Sequence, residues 1–324
     1  MTSTPATPIL AGLRAVPGGF GQPTFADFAA AFMGAAQQAA IAKTLPPVLF
    51  VMGEPLAGKS TFLSQLFVRL TQADAAAGQP TSSTLPGAQP AVRPYLIRWG
   101  DTIREGKKVG VVAPERQFGD LTPDEFARTS GRLAEAARAA RQAATGYGPA
   151  LVVVEAPGVT MLTTAPGQTR GLDRGYSFAR TLAHDPGGYV LALAADQQVR
   201  DAHLATRQAH LTTGSPDVRE ATQLAANRIR AQVTDLLYDL AQAGTIRLPE
   251  PAPAAPLTRA ALDADSAYRN EAVLQAYLPY LFQHDLGIPP ERAFIGLNGF
   301  QGAGVAPDMA LLDRYDWTHE HFGI

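Results

Sequence analysis

No cysteine occurs among the 324 residues. This excludes disulfide bonds and metal sites with cysteine ligands, and it is compatible with a cytoplasmic protein. Acidic and basic residues nearly balance, with a formal net charge of -2 at pH 7. The chain therefore lacks the positive field that attracts nucleic acid or anionic membranes, and we expect neither as a partner.

Long hydrophobic runs are missing as well. The run nearest to a membrane span, residues 25–42, is Ala-rich and is interrupted by Asp27, Gln37 and Gln38, whereas a span needs about 20 apolar residues. Residues 1–8 contain no basic region of the kind that begins a signal peptide. We therefore expect a soluble, cytoplasmic protein in which residues 25–42 form a helix capped by Thr24.

What the chain does contain is an alternation of short aliphatic runs with longer amphipathic stretches. The aliphatic runs predict strands at residues 48–52, 95–99, 151–154, 189–194 and 245–248. The amphipathic stretches predict helices at residues 59–77, 122–145, 197–211 and 217–243. Because all-aliphatic strands that alternate with helices are typical of a buried parallel sheet, we expect an α/β protein.

The Pro/Ala-rich sequence PEPAPAAP at 249–256 predicts a linker and hence a domain boundary. We expect three parts, namely an N-terminal arm and helix (1–45), a central domain that contains the predicted sheet (46–250), and a linker with a C-terminal module (251–324). A predicted helix at 267–283 carries four aromatic residues, more than so short a segment can bury alone. We therefore predict that residues 257–324 stand outside the sheet, either as a separate module docked on the central domain or as a contact with a second copy or a protein partner.

The strongest motif is GEPLAGKS at 53–60, which satisfies every fixed position of G-x-x-x-x-G-K-[ST]. A predicted strand enters it and a predicted helix leaves it, so its backbone N–H groups and the helix N-terminus can hold phosphate oxygens. Lys59 is expected to reach the β- and γ-phosphates of ATP, and the Ser60 hydroxyl to coordinate Mg²⁺. We assign nucleotide contacts to the loop and the first helical turn, which comprise Gly53, Glu54, Pro55, Leu56, Ala57, Gly58, Lys59, Ser60 and Thr61.

WGDTIR at 99–104 and GDLTPDE at 119–125 follow the motif. They resemble a G-D-x-h-R stretch and a P-D-E helix start that line the acceptor site in the adenylate kinase and wider nucleoside-monophosphate kinase family. The motif and this resemblance imply a three-layer P-loop NTPase fold, in which residues 46–250 form a P-loop kinase-like domain. The resemblance implies that Arg104 holds a phosphate or another anionic group of the acceptor. It also implies that Asp101 anchors the loop or a magnesium-bound water. The alternative is that Asp101 caps a helix and that Arg104 pairs with carboxylates at the surface.

A third segment, LVVVEAPGVT at 151–160, is similar to the family's strand that ends in D-G-[FY]-P-R-T. By this resemblance Glu155 takes the Walker B position and holds Mg²⁺ through water. Glu replaces the family's Asp, and Gly158 stands where the family has Arg, with Arg170 and Arg174 downstream as substitutes. A standard AMP acceptor is therefore not expected.

A fourth segment, residues 190–207, is similar to the family's strand and helix that lead into its lid. His203 and Arg207 occupy the two positions where the family carries arginines, and four residues apart they share one helix face. The resemblance implies that Arg207 stabilises charge on the transferring phosphoryl group. Arg219, and either Arg228 or Arg230, are similar to the arginines that close the lid in the family.

The resulting hypothesis is an ATP-binding, Mg²⁺-dependent phosphotransferase, a kinase acting on a small phosphorylated or anionic acceptor. Its predicted catalytic residues are Lys59, Asp101, Arg104, Glu155 and Arg207. A second enzyme hypothesis is an ATP-dependent ligase, because residues 153–158 also resemble the V-E-G-A-G-G strand of dethiobiotin synthetase-like enzymes. A hypothesis from another class is a nucleotide-dependent regulatory or assembly ATPase or switch, motivated by the lack of an obvious general base and by the extra segments at both ends.

Overall fold

Five parallel strands in the order β2-β3-β1-β4-β5 form the centre of the molecule. The computed structural model describes residues 24–53, 57–71, 92–116, 121–155, 185, 187–193, 233–285, 287–296 and 306–323, and the single positions 199, 202, 203, 205 and 231. The strands are β1 (Val48–Gly53), β2 (Arg93–Arg98), β3 (Ala150–Glu155), β4 (Gly188–Leu193) and β5 (Ala293–Gly296). The all-parallel sheet confirms the predicted α/β class and is compatible with a P-loop-like three-layer fold.

Helices cover both faces of this sheet. The first four are α1 (Phe25–Ala42), α2 (Lys59–Thr71), α3 (Trp99–Lys108) and α4 (Pro123–Ala144). Strand residues such as Leu49 and Val51 pack with α1 and α2 on one face. Their neighbours Val48 and Phe50 pack with α3 and α4 on the other. We call these the α2 face and the α4 face. The alternation follows from the two-residue period of a strand, and aliphatic side chains on both faces are what the sequence predicted.

The predicted helix starts are confirmed where polar side chains cap them. The Thr24 hydroxyl accepts a hydrogen bond from the Asp27 N–H at the start of α1. At the start of α4, Thr122 and Glu125 form a reciprocal capping box. Because each cap satisfies helical N–H groups that have no partner within the helix, these residues fix where the two helices begin.

The C-terminal segment belongs to the sheet, so the prediction that residues 257–324 stand outside it is wrong. β5 pairs with β4 from Val190↔Ala293 to Leu193↔Gly296. The predicted strand at 245–248 is wrong too, since these residues are irregular and pair with no strand of the described chain. The strand that pairs with β4 on its outer side is therefore β5, which lies about fifty residues later in the chain than the predicted strand.

The predicted helix at 267–283 is present, as a longer helix with two wide turns. After α5 (Arg259–Ala264) it begins as α6 (Ser266–Ala272) and continues through π-helical residues Val273–Tyr277 and Leu281–Asp285. Pro279 lies between the two π-helical stretches, and a proline lacks the N–H that continues regular α-helical bonding. Its buried aromatic residues pack with the α4-face core rather than forming a free surface, as seen at Tyr268, Tyr277 and Phe282.

The last two helices, α7 (Met309–Arg314) and α8 (Trp317–Phe322), wrap the edge strand β2. Leu312 of α7 packs into the α2-face core, and Trp317 of α8 packs against the α4-face core. Between them the backbone at Asp316 forms a single parallel bridge with Leu96 of β2. Among the described helices, none is both long and apolar enough to cross a membrane.

Candidate functional site

β1 ends at the centre of the sheet, with β3 on one side and β4 on the other. From β1 the chain proceeds to β2, beyond β3, and later returns across β1 to β4. In doubly wound sheets, ligands bind at the carboxyl end of the strands where this direction reverses. The predicted phosphate-binding loop begins at this carboxyl end, at Gly53, and α2 begins at Lys59. Glu54, Pro55 and Leu56 lie outside the described residues.

Both glycines of the motif occupy positions that disfavour a side chain. A Cβ on Gly53 would lie 2.8 Å from the carbonyl oxygen of Leu193 in β4, closer than a real Cβ comes to a backbone atom. Gly58 has a φ of 81°, in the left-handed region that L-residues with a side chain rarely adopt. The motif therefore fits the geometry on either side of residues 54–56.

Lys59 turns its side chain back toward the end of β1. Its ammonium Nζ donates a hydrogen bond to the carbonyl oxygen of Gly53 at 2.6 Å. The first helical hydrogen bond of α2 runs from the Phe62 N–H to the Gly58 carbonyl oxygen, at 2.9 Å. Lys59 and Ser60 are partly buried and Thr61 is buried. A cation and a hydroxyl therefore lie together in the first turn of a helix whose N-terminus carries partial positive charge.

Glu155 ends β3 beside β1 and lies opposite Val51 in the register. Because Leu151 and Val153 point to the α2 face, the two-residue period places Glu155 on that same face. Neighbouring strands are about 4.8 Å apart, so this partly buried carboxylate shares the carboxyl edge of the sheet with Gly53. The structure thus brings Glu155 to the side of β1 that α2 covers.

Asp101 and Arg104 lie together at the start of α3, and Arg104 Nη1 donates to the Asp101 carboxylate at 2.5 Å. Asp101 is buried, whereas the Arg104 side chain is largely exposed. Asp101 also lies 4.0 Å from Arg98 Nη1, which contacts Asp313 at 2.7 Å and Asp316 at 3.3 Å. The arrangement gives Asp101 a structural role in an ion cluster, and a role of Arg104 toward an acceptor stays a prediction.

Sequence reasoning missed Arg98 and Asp316. Burial and, second to it, a hydrogen bond with Asp101 raise the pKa of Asp316, which the charge of Arg98 lowers, and the net result is a pKa of about 7. Asp316 also caps α8, accepting from the His319 N–H at 3.1 Å. The available signals were an arginine that ends a buried strand and an Asp at an N-cap position before residues 317–322.

The P-D-E segment has a structural function. The Glu125 carboxylate accepts hydrogen bonds from the N–H groups of Ala113 and Thr122, at 2.9 and 2.8 Å. These bonds, that of Ala113 first, lower the pKa of Glu125. The carboxylate therefore fastens the backbone at Ala113 and Thr122 to the start of α4.

The remaining predicted arginines lie outside the described residues. These are Arg170, Arg174, Arg207, Arg219, Arg228 and Arg230. His203 is described and buried. The described residues contain no cluster of three or more His, Asp or Glu side chains arranged to hold a metal ion.

Comparison with known proteins yields no match among family models, curated proteins or solved structures. The function proposed below therefore rests on the residues of this chain alone.

Proposed function

We propose that this chain binds Mg²⁺-ATP at residues 53–61 and transfers the γ-phosphoryl group to a small anionic acceptor. The observation that carries the proposal is the GEPLAGKS motif at the reversal point of an all-parallel sheet. Its glycines fit the close contact at Gly53 and the positive φ of Gly58. Phosphate-binding loops need both properties, because the backbone must turn sharply and expose its N–H groups.

In this proposal Lys59 exchanges its hydrogen bond with the Gly53 carbonyl for the β- and γ-phosphates. The Ser60 hydroxyl and the Glu155 carboxylate supply oxygen ligands, Glu155 through water, and oxygen is what Mg²⁺ prefers. Because Mg²⁺ at nucleotide sites takes only one or two protein ligands, two such groups suffice. The bound metal neutralises charge on the phosphates, and the chain's own residues position the nucleotide.

Phosphoryl transfer is the reaction we propose because Arg104 presents a largely exposed guanidinium near the same end of the sheet. It is held on a buried Asp101, which fixes one side of the guanidinium and leaves donors for an anionic group. The regulatory alternative relied partly on residues 257–324 as a partner surface, and the place of β5 in the sheet removes that motive. The ligase alternative uses the same phosphate loop and differs in the acceptor.

The test is calorimetry with Mg²⁺-ATP on wild type, Lys59→Ala and Lys108→Ala. Lys108 lies exposed at the end of α3 and controls for the loss of one positive charge. We expect Lys59→Ala to lose at least about tenfold in affinity, or about 1.4 kcal/mol, with Lys108→Ala unchanged. Unchanged affinity in a Lys59→Ala protein with native circular dichroism would refute the nucleotide site.

A second measurement addresses the reaction. Release of ADP is followed with a panel of phosphorylated and carboxylated small molecules, and Arg104→Ala serves as the comparison variant. Acceptor-dependent ADP release that weakens in Arg104→Ala supports the kinase. Tight nucleotide binding without turnover for any acceptor supports the switch.

A further inference from the structure

Residues 306–323 form a strap that runs from one face of the sheet to the other around β2. On the α2 face, the Asp308 N–H donates to the Ser64 hydroxyl of α2 at 3.1 Å, and the Tyr315 ring meets Phe67 edge-on at 5.9 Å. On the α4 face, Trp317 meets Tyr95 of β2 at 5.6 Å. The strap therefore joins the second turn of α2 to the far face of the edge strand.

At the edge itself the strap takes up backbone groups of β2. The Leu96 N–H donates to the Tyr315 carbonyl at 2.8 Å, and the Arg98 N–H donates to the Thr318 hydroxyl at 2.7 Å. An uncovered edge strand offers such groups to other chains. The docked strap thus accepts hydrogen bonds from the N–H groups of Leu96 and Arg98, and its release would leave these groups of the edge strand exposed.

The strap is fastened by an ion cluster with more acids than bases. Asp313 and Asp316 come from the strap, and Asp101 comes from α3, all within 4.0 Å of one nitrogen of Arg98. Arg104 adds the second positive charge through Asp101. With all three acids ionised the cluster carries one uncompensated negative charge, and two of its carboxylates, Asp101 and Asp316, are buried. Two buried carboxylates in one site favour retention of a proton.

We propose that residues 306–323 are a pH-sensitive strap, fastened to β2 and α3 while Asp316 keeps a proton in this acid-rich cluster and loosened when that proton is lost. The proposal does not depend on the nucleotide site. The charged groups that face Asp316 are Arg98 from β2, Asp101 with Arg104 from α3, and Asp313 from α7. From α4, Arg132 is bound to Glu105 and lies over the Phe322 ring at 5.1 Å.

The sign of the effect follows from the raised pKa of Asp316, about 7 when docked against an ordinary 3.8. The docked strap holds the proton more tightly than the free strap, so docking is strongest in acid. It weakens as the pH rises from about 4 to 7, by up to about tenfold per pH unit, and becomes constant above the docked pKa.

The test is amide hydrogen–deuterium exchange of the full chain at pH 5.5, 6.5, 7.5 and 8.5, corrected for the intrinsic exchange rate at each pH. In wild type, protection of α8 should fall at least about tenfold between pH 5.5 and 7.5 and then level off. In Asp316→Asn, which keeps a capping side chain but cannot ionise, protection should change less than about twofold.

Asp308→Asn is the matched control. Asp308 caps α7 as Asp316 caps α8, accepting from the Leu311 N–H at 2.9 Å, and its side chain is not among the partners of Arg98. It should keep the wild-type pH dependence. If Asp316→Asn does not fold, Asp101→Asn is measured, since it removes the other carboxylate of the pair. Two results would overturn the proposal. One is a protection of α8 that does not change with pH in wild type, and the other is a folded Asn variant with the same pH dependence as wild type.

Discussion

The backbone N–H of Asp308 donates a hydrogen bond to the hydroxyl of Ser64, 3.1 Å away. This bond ties the C-terminal segment to the helix that follows the phosphate-binding motif. Together with the pairing of β5 on β4, it makes residues 257–324 part of the structure that supports the candidate site. The consequence for a truncated protein is the reverse of what the linker sequence suggested.

Deleting residues 257–324 should abolish folding rather than leave nucleotide binding intact. The deletion removes β5 and the buried aromatic residues Tyr277 and Phe282, and it exposes β4, whose residues are all buried. Circular dichroism and solution mass of a 1–256 chain are the measurements. A folded, monomeric 1–256 chain that binds Mg²⁺-ATP like the full chain would contradict this.

A cut in the linker is the matched control. A protease site placed within 250–256, a mostly exposed stretch, allows the backbone to be broken after folding. The two pieces should then stay together through gel filtration and keep the wild-type nucleotide affinity. This outcome would show that the truncated chain fails for loss of contacts and not for loss of the linker.

The main strands were predictable because β1, β3 and β4 are aliphatic runs buried on both faces. β5 was missed because it has only four residues, AFIG, which follow Pro289 and Pro290 and precede a Gly-rich stretch. Residues 245–248, TIRL, are also a short run, but they lie just after Gly244, whose φ is 65°, and they pair with no strand of the described chain. For such short runs the pairing partner decides the structure.

The candidate site divides in the same way. The places of Gly53 at a strand end and of Lys59 and Ser60 at a helix start could be predicted from local sequence, because the motif is a local pattern and its function stays a prediction. The ion cluster could not, because Arg98 and its partners in the strap are separated by more than two hundred residues, 215 in the case of Asp313. Only the fold brings them together.

Gly53→Ala should destabilise the protein by about 1–3 kcal/mol, the usual cost of overpacking a tight core. The added Cβ would press on the Leu193 carbonyl oxygen at 2.8 Å, and a backbone atom within a paired strand cannot move aside. Gly34→Ala is the control, since nothing lies within 4 Å of its Cβ position in α1. A helical Gly→Ala exchange should stabilise by about 0.5–1 kcal/mol. Urea unfolding compares the two, and equal stabilities would refute the close approach of β1 and β4.

Arg141→Met should lower the free energy of unfolding by about 1.5–3 kcal/mol, the usual contribution of hydrogen bonds made by a charged group. Arg141 is buried in α4, where Nη1 contacts Asp185 at 2.6 Å and Nε donates to the Pro46 carbonyl at 2.8 Å. It thereby joins the segments that lead into β1 and β4. Arg138→Met, exposed one turn earlier on the same helix, should change stability by less than about 0.5 kcal/mol. Similar urea midpoints for the two variants would mean that the contacts of Arg141 with Asp185 and Pro46 contribute nothing to the free energy of unfolding.

Glu155→Gln should raise the Mg²⁺ concentration needed for nucleotide binding by about tenfold or more, the usual effect of removing a group that orients a metal or its water. Glutamine keeps the size and one carbonyl oxygen but loses the charge. Because Glu155 is only partly buried at the end of β3, stability should change by less than about 0.5 kcal/mol. The measurement is a Mg²⁺ titration at a fixed concentration of a non-hydrolysable ATP analogue. Glu135→Gln, exposed on α4, controls for the loss of one negative charge. If Glu155→Gln and wild type show the same Mg²⁺ dependence, Glu155 does not take part in the metal site. This result would leave the proposed nucleotide contacts of Lys59 untouched, because the Lys59→Ala variant tests them separately.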